Sequence, residues 1–226
     1  MQDIVVISLG GSLIVPGDID VEFLKDFKDL IVSEVEKGNR FAIVTGGGKI
    51  ARRYIDAVKN IINPSLENLD WIGIAATRLN AEFLRTSFGD LALDEIIMDP
   101  DNVADTGKPI MIGAGWKPGN SSDLAAVRIA KNIKAKKLIN LSNVDYVYDK
   151  DPNKFKDARK IEQVSWTDFR KILPGKWDPG LSTPFDPIAA KEAEELGLEV
   201  IIMNGKNISN LENYFNGEDF LGTKIS

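Results

Sequence analysis

Two short glycine clusters suggest the chemistry that this sequence performs. Residues 10–12 read Gly-Gly-Ser and residues 46–49 read Gly-Gly-Gly-Lys, and each cluster follows a run of apolar residues. Glycine lets the backbone approach a phosphate closely, and a helix N-terminus presents free N–H groups to an anion. The spacing matches neither the P-loop nor the G-x-G-x-x-G dinucleotide fingerprint. One such cluster is compatible with an ordinary turn, but two of them near Arg52 and Arg53 predict a phosphate site.

Three further segments carry polar groups that could serve a ligand. Segment 113–122 is rich in glycine, serine and asparagine, and it suits a second phosphate or an ordinary capped loop. Segment 143–151, which begins Asn-Val-Asp, could hold a nucleoside at a strand end or be a solvated charged loop. Asp186 precedes a proline at a predicted helix start, where an aspartate usually caps the helix. It becomes functional only in the company of other groups in a cleft.

Composition excludes several classes of protein. The 226-residue chain has a net charge of −6, which argues against general nucleic-acid binding. It contains no Cys and no His, so thiol nucleophiles, Ser–His triads and His-ligated metals are absent. No run approaches the roughly 20 apolar residues of a membrane span. The N-terminal segment lacks the features of a signal peptide, so we expect a cytoplasmic protein without a membrane partner.

Hydrophobic periodicity predicts an alternation of strands and helices. Strands are expected at 4–9, 41–45, 96–98, 110–112, 137–141 and 199–203, with a possible edge strand at 223–225. Helices are expected at 21–37, 49–61, 70–88, 123–133, 186–196 and 211–215, and residues 147–160 are expected to form a loop. Such alternation is typical of a mainly parallel α/β sheet, in which ligands bind at the carboxyl ends of the strands. The glycine clusters fall at those ends.

Taken in order, six motifs resemble the amino-acid kinase superfamily, and more closely its archaeal-type UMP kinases. They are the two glycine clusters and segments 77–81 (TRLNA), 118–123 (PGNSSD), 143–152 (NVDYVYDKDP) and 185–191 (FDPIAAK). The resemblance extends over essentially the whole chain, from residue 4 to residue 225. Each motif alone is weakly specific, whereas six in the same order are specific.

The resemblance implies a three-layer α/β/α sandwich around a central, mainly parallel sheet of about eight strands. One domain, residues 1–226, would have an acceptor lobe at about 1–135 and an ATP lobe at about 136–226. It would phosphorylate UMP to UDP with ATP by direct in-line transfer, as a step of pyrimidine nucleotide biosynthesis, with Mg²⁺ accompanying the ATP. The resemblance also implies a homo-oligomer, either a dimer or a hexamer.

The same resemblance assigns roles to residues by position. Residues facing the transferred phosphoryl group would be Gly10, Gly11 and Ser12, and Asp186 would orient the catalytic lysine and glycine groups. Residues binding UMP would be Gly47, Asp70, Gly115, Trp116, Lys117, Pro118, Gly119, Asn120 and Ser121. Residues on the ATP side would be Ser8, Gly48, Arg52, Ser142, Asn143, Asp145, Tyr148 and Asp151. No set of side chains is assigned as metal ligands.

Two departures from the family pattern leave alternatives open. Many members have a lysine where this chain has Ser8, so Lys49 or Lys117 is a candidate for the catalytic cation. Trp116 could stack on a base or fill a subunit interface. The acceptor could therefore be another small phosphate or phosphonate, although an isopentenyl phosphate kinase would use a histidine that this chain lacks.

A non-catalytic nucleotide sensor or storage protein on the same fold is the alternative from another class. Ser8 favours it, and the acidic and amide groups of the proposed ATP side oppose it. Apolar residues of the predicted helix 70–88 would suit either an oligomer interface or the core: Ile72, Ile74, Leu79 and Phe83.

Overall fold

Short apolar strands and amphipathic helices alternate along the chain, in a computed structural model that describes residues 4–152, 154–174 and 183–226. In these residues the strands are β1 (Ile4–Leu9), β2 (Arg40–Thr45), β3 (Ile110–Gly113), β4 (Lys137–Ser142), β5 (Val147–Tyr148), β6 (Lys160–Ile161), β7 (Gln163–Val164), β8 (Glu199–Asn204) and β9 (Thr223–Ile225). The helices are α1 (Gly11–Ile14), α2 (Val21–Glu36), α3 (Gly48–Lys59), α4 (Leu66–Phe88), α5 (Ser122–Asn132), α6 (Trp166–Ile172), α7 (Pro187–Leu196) and α8 (Ile208–Asn216).

Seven strands form one sheet in the order β3-β2-β1-β4-β8-β9-β7. Strands β1, β2, β3, β4 and β8 run parallel, while β9 is antiparallel to β8. Strands β5 and β6 form a separate antiparallel pair. The five parallel strands therefore end at one edge, and the loops that follow β1, β2, β3 and β4 lie beside one another.

Alternate residues of the buried strands face opposite sides of the sheet, which produces two cores. On β1, Val6 belongs to one core and Ile7 to the other. The first core packs against α5, α6 and α7, and the second packs against α1, α2, α4 and α8. This arrangement is the three-layer α/β/α sandwich that the sequence predicts, and the prediction of fold class is confirmed.

Helix α3 lies outside these two layers. It packs on α4, and of its residues only Ala51 is buried. The first turn of this helix therefore stays accessible at the end of β2, where a ligand could reach it.

Side chains cap several helix N-termini, including the one predicted at Asp186. Ser121 accepts a hydrogen bond from Leu124 N, Ser165 accepts one from Asp168 N, and Asp186 accepts two at the start of α7. Helix α4 begins at Leu66, earlier than predicted, because Ser65 caps it. Gly197, with φ of 61°, ends α7 in the left-handed conformation that glycine adopts without strain.

The structure corrects four expectations. The main sheet has seven strands in the described residues, close to the expected number, but β9 lies between β8 and β7 rather than at the edge. Residues 96–98 form no strand and contribute one isolated bridge, Ile97 to Gly113. The predicted loop 147–160 contains most of the β5–β6 hairpin. Helix α1 was not predicted, because four residues are too few for periodicity to reveal.

Within the described residues, no helix is long and apolar enough to cross a bilayer. The cytoplasmic location and the division into an acceptor lobe and an ATP lobe stay predictions.

Candidate functional site

The predicted site residues come together at the carboxyl edge of the parallel strands. Gly10 follows β1, Gly46 follows β2, Ala114 follows β3 and Asn143 follows β4. Neighbouring strands are about 4.8 Å apart, so the loop after β3 and the turn after β4 are separated by roughly 14 Å. The two glycine turns lie between them. This spacing accommodates two ligands that meet above the glycines.

The two glycine turns pack backbone against backbone. A Cβ atom on Gly11 would lie 2.3 Å from Gly46 O, and one on Gly48 would lie 2.2 Å from Gly11 O. Gly48 also has φ of +63°, in the left-handed region that favours glycine. Gly46 N donates to Leu9 O at 2.9 Å, and Gly10 N donates to Leu141 O at 2.8 Å. Backbone N–H groups of both turns are therefore held in fixed positions.

Basic side chains surround the first turns of α3. Lys49 and Arg52 are exposed, and Arg52 Nη2 donates to Ser12 Oγ at 3.1 Å, which joins α3 to α1. Arg53 Nη1 donates to Gly17 O at 3.3 Å. Gly47, the residue before α3, is packed against α4, since a Cβ there would lie 3.2 Å from Gly73 O. This end of α3 combines free N–H groups with positive charge, as an anion site requires.

The loop after β3, residues 115–121, is fixed to α4 at both ends. Gly115 N donates to Thr77 Oγ1 at 2.8 Å, and Gly119 N donates to Asp70 Oδ2 at 2.8 Å. Asn120 Nδ2 donates to the carbonyl oxygens of Lys117 and Pro118, which closes the loop on itself. Ser121 caps α5. The loop therefore presents a defined shape to an acceptor.

Trp116 and Lys117 interact with each other in this loop. Lys117 Nζ lies 3.5 Å from the centroid of the Trp116 ring, and Arg128 Cζ lies 5.5 Å from it. Arg78 Nη2 donates to Trp116 O at 3.1 Å. The Trp116 ring is thus engaged by cations of its own chain, and Lys117 is less available than Lys49 to a phosphoryl group.

A cluster of buried polar groups lies behind the first glycine turn. Ser8 Oγ and Asn140 Nδ2 both donate to Asp123 Oδ1, at 2.9 and 3.2 Å. Asp186 N donates to Asp123 Oδ2 at 3.2 Å. Asp123 is partly exposed as a residue, but desolvation of its carboxyl and the nearby Asp186 raise its pKa to about 6, although the Ser8 hydrogen bond opposes the shift.

Asp186 completes this cluster from α7. It is 2% exposed, and its Oδ1 accepts hydrogen bonds from Ile188 N and Ala189 N. Among the residues that the structure describes, no hydrogen-bond partner meets its buried Oδ2. Asp186 is therefore a helix cap that also contacts Asp123 through its backbone N–H. The Ser8 hydroxyl points to the same Asp123 and is buried, so it is not exposed to a ligand.

Five predicted ATP-side residues lie at the end of β4 or beyond it and are partly or fully exposed, namely Ser142, Asn143, Asp145, Tyr148 and Asp151, whereas Ser8 is buried in β1 and Gly48 and Arg52 lie on α3. Val144 N donates to Ser142 Oγ at 3.4 Å, and Asn204 Nδ2 at the end of β8 donates to Asp145 Oδ1 at 2.9 Å. Asn143 and Asp145 are exposed. Tyr148 lies in the β5–β6 hairpin, and Asp151 forms an ion pair with Lys154 at 3.5 Å in the connection between the two strands.

Sequence reasoning missed several polar residues that position the site. Asp123 was interpreted only as part of a motif and a helix start, although an acidic residue at the start of a helix after a strand-end loop was a usable signal. Thr77 and Asn80 belong to the motif at 77–81 but had no assigned role, and Asn140 carried no signal, because nothing in the sequence indicates which polar residues of a buried helix or strand face a loop.

A three-layer α/β sandwich with paired glycine turns and basic groups at the strand ends defines a class of phosphate-binding α/β proteins. The profile of the Amino acid kinase family matches residues 3–204. The chain belongs to the amino acid kinase family, as its motifs predict.

Individual relatives agree with this assignment. The uridylate kinase of Methanobrevibacter smithii is 35% identical over 228 residues, with 98% of each chain covered. The uridylate kinase of Sulfolobus acidocaldarius is 34% identical over 212 residues, covering 90% of this chain and 91% of the relative. The crystal structure of uridylate kinase from Archaeoglobus fulgidus has a TM-score of 0.84 at 32% identity, with both chains fully covered. UMP kinase from Bacillus anthracis, at 20% identity, shares the fold with a TM-score of 0.78.

Proposed function

We propose that this protein is an ATP-dependent kinase that phosphorylates UMP to UDP in pyrimidine nucleotide biosynthesis. The observation that carries the proposal is the placement of two glycine turns, packed backbone to backbone, between an acceptor loop after β3 and a nucleotide turn after β4. The names of the relatives support UMP as the acceptor.

The reaction is a direct transfer between two phosphates. An oxygen of the UMP phosphate attacks the γ-phosphorus of ATP, the bond to the β–γ bridging oxygen breaks, and ADP leaves with that oxygen. The acceptor phosphate is already ionised, so the step needs no strong general base, and a chain without His or Cys can perform it. The protein positions the two phosphates in line and stabilises the charge that spreads over the equatorial oxygens.

The residues divide this work as follows. Gly10, Gly11 and Gly48 would lie against the transferred group, in turns that touch and cannot shift separately. The Gly10 N–H is bonded to Leu141 O, so the amides of Gly11 and Gly48 are the proposed donors. Arg52 and Ser12, joined by a hydrogen bond, contact nucleotide phosphates. Lys49 supplies the cation that other family members place at the position of Ser8, since Lys49 is exposed at the start of α3 and Lys117 lies on Trp116.

UMP is proposed to bind between α4 and the loop 115–121. Asp70 would accept ribose hydroxyls while one of its oxygens holds Gly119 N. The ATP base and ribose are proposed to bind near Asn143, Asp145 and Tyr148.

Mg²⁺ is proposed to accompany ATP. Among the described residues, no three acidic side chains converge on one point. This donor set fits a hard cation that is held chiefly by substrate phosphates and water, with few protein ligands. When bound, the ion would neutralise charge on the phosphates.

A second copy of the chain is the proposed partner. Trp71, Leu79 and Phe83 share one side of α4 and are 44%, 59% and 38% exposed, and Tyr54 on α3 is 66% exposed. Ile74, by contrast, is in the core. Light scattering should find a dimer or hexamer, and Leu79→Glu should shift it towards the monomer while Leu196→Glu, an exposed leucine on α7, does not.

The proposed function is tested by ADP release with ATP and Mg²⁺, offering UMP, CMP, dUMP, GMP and AMP separately. Selective turnover of UMP is expected. If only another small phosphate or phosphonate were turned over, that compound would be the acceptor instead of UMP. Binding of ATP, seen as a thermal shift, without turnover of any acceptor would favour a nucleotide sensor.

A further inference from the structure

The middle of α4 carries two buried polar side chains that the mechanism above does not use. Thr77 is 8% exposed and Asn80 is 4% exposed, on a helix whose other buried residues are mostly apolar. Buried polar groups are costly unless they are hydrogen-bonded, so their partners indicate what they do. Both side chains bond to the backbone of loops that line the phosphate site.

Thr77 connects α4 to the acceptor loop with one hydroxyl. Its Oγ1 donates to Ile74 O at 2.7 Å and accepts from Gly115 N at 2.8 Å. A hydroxyl has one proton and two lone pairs, so a single oxygen can serve both partners. A Cβ on Gly115 would lie 2.7 Å from this oxygen, and the contact therefore leaves no room for the loop to move closer.

Asn80, one turn further along α4, connects the same helix to the second glycine turn. Its Nδ2 donates to Gly46 O at 2.8 Å. Thr45, the fully buried residue before Gly46, donates from Oγ1 to Thr77 O at 2.9 Å. The glycine turn is thereby tied to the same four-residue stretch of α4 that holds the acceptor loop.

We propose that Thr77 and Asn80 are positioning residues that set the distance between the acceptor loop and the second glycine turn. This inference rests on the proposed function, because the distance matters where an acceptor held by one loop must meet a phosphoryl group held by the other. The α-helix is a stiff spacer, and its two side chains fix loops that follow different strands. Their contribution is to alignment, and neither side chain touches the reacting atoms.

The first test compares Thr77→Val with Thr77→Ser. Valine keeps the shape but cannot accept from Gly115 N, whereas serine keeps the hydroxyl. We expect Thr77→Val to lower kcat/KM for UMP by about 10- to 100-fold, because a small misplacement of reacting groups has large kinetic effects. Thr77→Ser should restore most of the activity, and KM for ATP should stay near the wild-type value in both.

Asn80→Ala provides an independent test at the other end of the spacer. We expect it to lower kcat, since Gly46 loses its donor, with little change in KM for ATP. The matched control is Ser87→Ala, which removes another hydroxyl of α4 that donates to a backbone carbonyl, Phe83 O at 2.8 Å, near the end of the helix. This control should retain wild-type kinetics.

Amide hydrogen exchange without any substrate separates this inference from the proposed function. Exchange at residues 115–119 should be faster in Thr77→Val than in wild type or Thr77→Ser, while the strands keep their protection. If wild type fails to phosphorylate UMP but this exchange difference is present, the proposed acceptor is wrong, whereas the positioning role of Thr77 is supported. Wild-type kinetics and wild-type loop protection in Thr77→Val would overturn the inference, as would equal losses in Thr77→Val and Ser87→Ala. Should Thr77→Val not fold, Asn80→Ala decides by the same two measurements.

Discussion

The acceptor side and the nucleotide side of the site are built differently. Loop 115–121 and the second glycine turn are held by buried side chains of α4, with Thr77 and Asn80 below 10% exposure. The side chain of Asp145, in the turn after β4, is held by an exposed hydrogen bond from Asn204. Buried hydrogen bonds hold a fixed geometry, whereas exposed ones compete with water.

This difference separates two tasks. The acceptor must be held in one orientation for in-line attack, so its loops are preorganised. In the proposed arrangement the glycine turns bind the phosphates of the nucleotide, so its base and ribose can be held by an adaptable surface. Substitutions on the acceptor side and at the glycine turns should therefore reduce kcat, and those on the nucleotide side should mainly raise KM for ATP.

Gly48→Ala should have the largest effect. A methyl group would lie 2.2 Å from Gly11 O on a backbone with φ of +63°, so both glycine turns must separate. We expect kcat/KM to fall by at least about 100-fold, because misplaced phosphates lose in-line geometry. Steady-state ADP release measures this.

Gly17→Ala is the matched control, since a Cβ there has no neighbour within 4 Å in the described part of the chain. It should behave as wild type. Near-normal turnover of Gly48→Ala would show that contact between the glycine turns is not needed for transfer.

Asp123→Asn tests the buried polar cluster of Ser8, Asp123, Asn140 and Asp186, where α5 meets β1, β4 and α7. The folded-state pKa of Asp123 is raised from 3.8 to about 6. The folded protein therefore binds this proton more tightly than the unfolded chain, and the free energy of unfolding should fall as pH rises from about 4 to about 6. The loss is at most about 3 kcal/mol. Urea denaturation across pH 4 to 7 should show this loss in wild type and a flatter profile in Asp123→Asn.

Asp105 serves as the comparison, because its contribution to the free energy of unfolding changes with pH in the opposite direction. Asp105→Asn removes that contribution. Arg40 and the Gly107 amide lower the pKa of Asp105 to about 2, so its stabilisation is present above about pH 4 and disappears in more acidic solution. A wild-type profile in Asp123→Asn between pH 4 and 6 would mean that the carboxyl titrates normally.

Lys49→Met tests the cation at the glycine turns. We expect about a 10-fold loss of kcat, since one positive charge close to the proposed position of the transferred group is removed. Lys59→Met, at the far end of the same helix, is the control and should leave kcat unchanged. If Lys117→Met causes the loss and Lys49→Met does not, the acceptor loop supplies the cation instead.

The sequence predicted the strand-end placement of the site because buried strands and glycine clusters are local signals. Strands 4–9, 137–141 and 199–203 were located to within a residue of their observed ends. The identity of the family came from motif order. The roles of Thr77 and Asn80 could not be predicted, since they depend on which face of α4 meets loops far away in sequence. The sequence could not show which apolar residues of α4 are exposed, for the same reason. Only the structure shows that Ile74 is buried and that Leu79 is exposed.

Asp145→Ala should have the smallest effect and most directly tests the difference between the two sides. It removes an exposed hydrogen bond to Asn204, so the turn after β4 loses one restraint while the glycine turns keep theirs. We expect KM for ATP to rise by about 2- to 5-fold with kcat unchanged, since an exposed hydrogen bond contributes about 1 kcal/mol or less. Asp26→Ala, an exposed carboxylate on α2, controls for loss of charge. A large fall in kcat would mean that the nucleotide side is as preorganised as the acceptor side, because a turn that only grips ATP cannot slow the transfer of a phosphoryl group already bound.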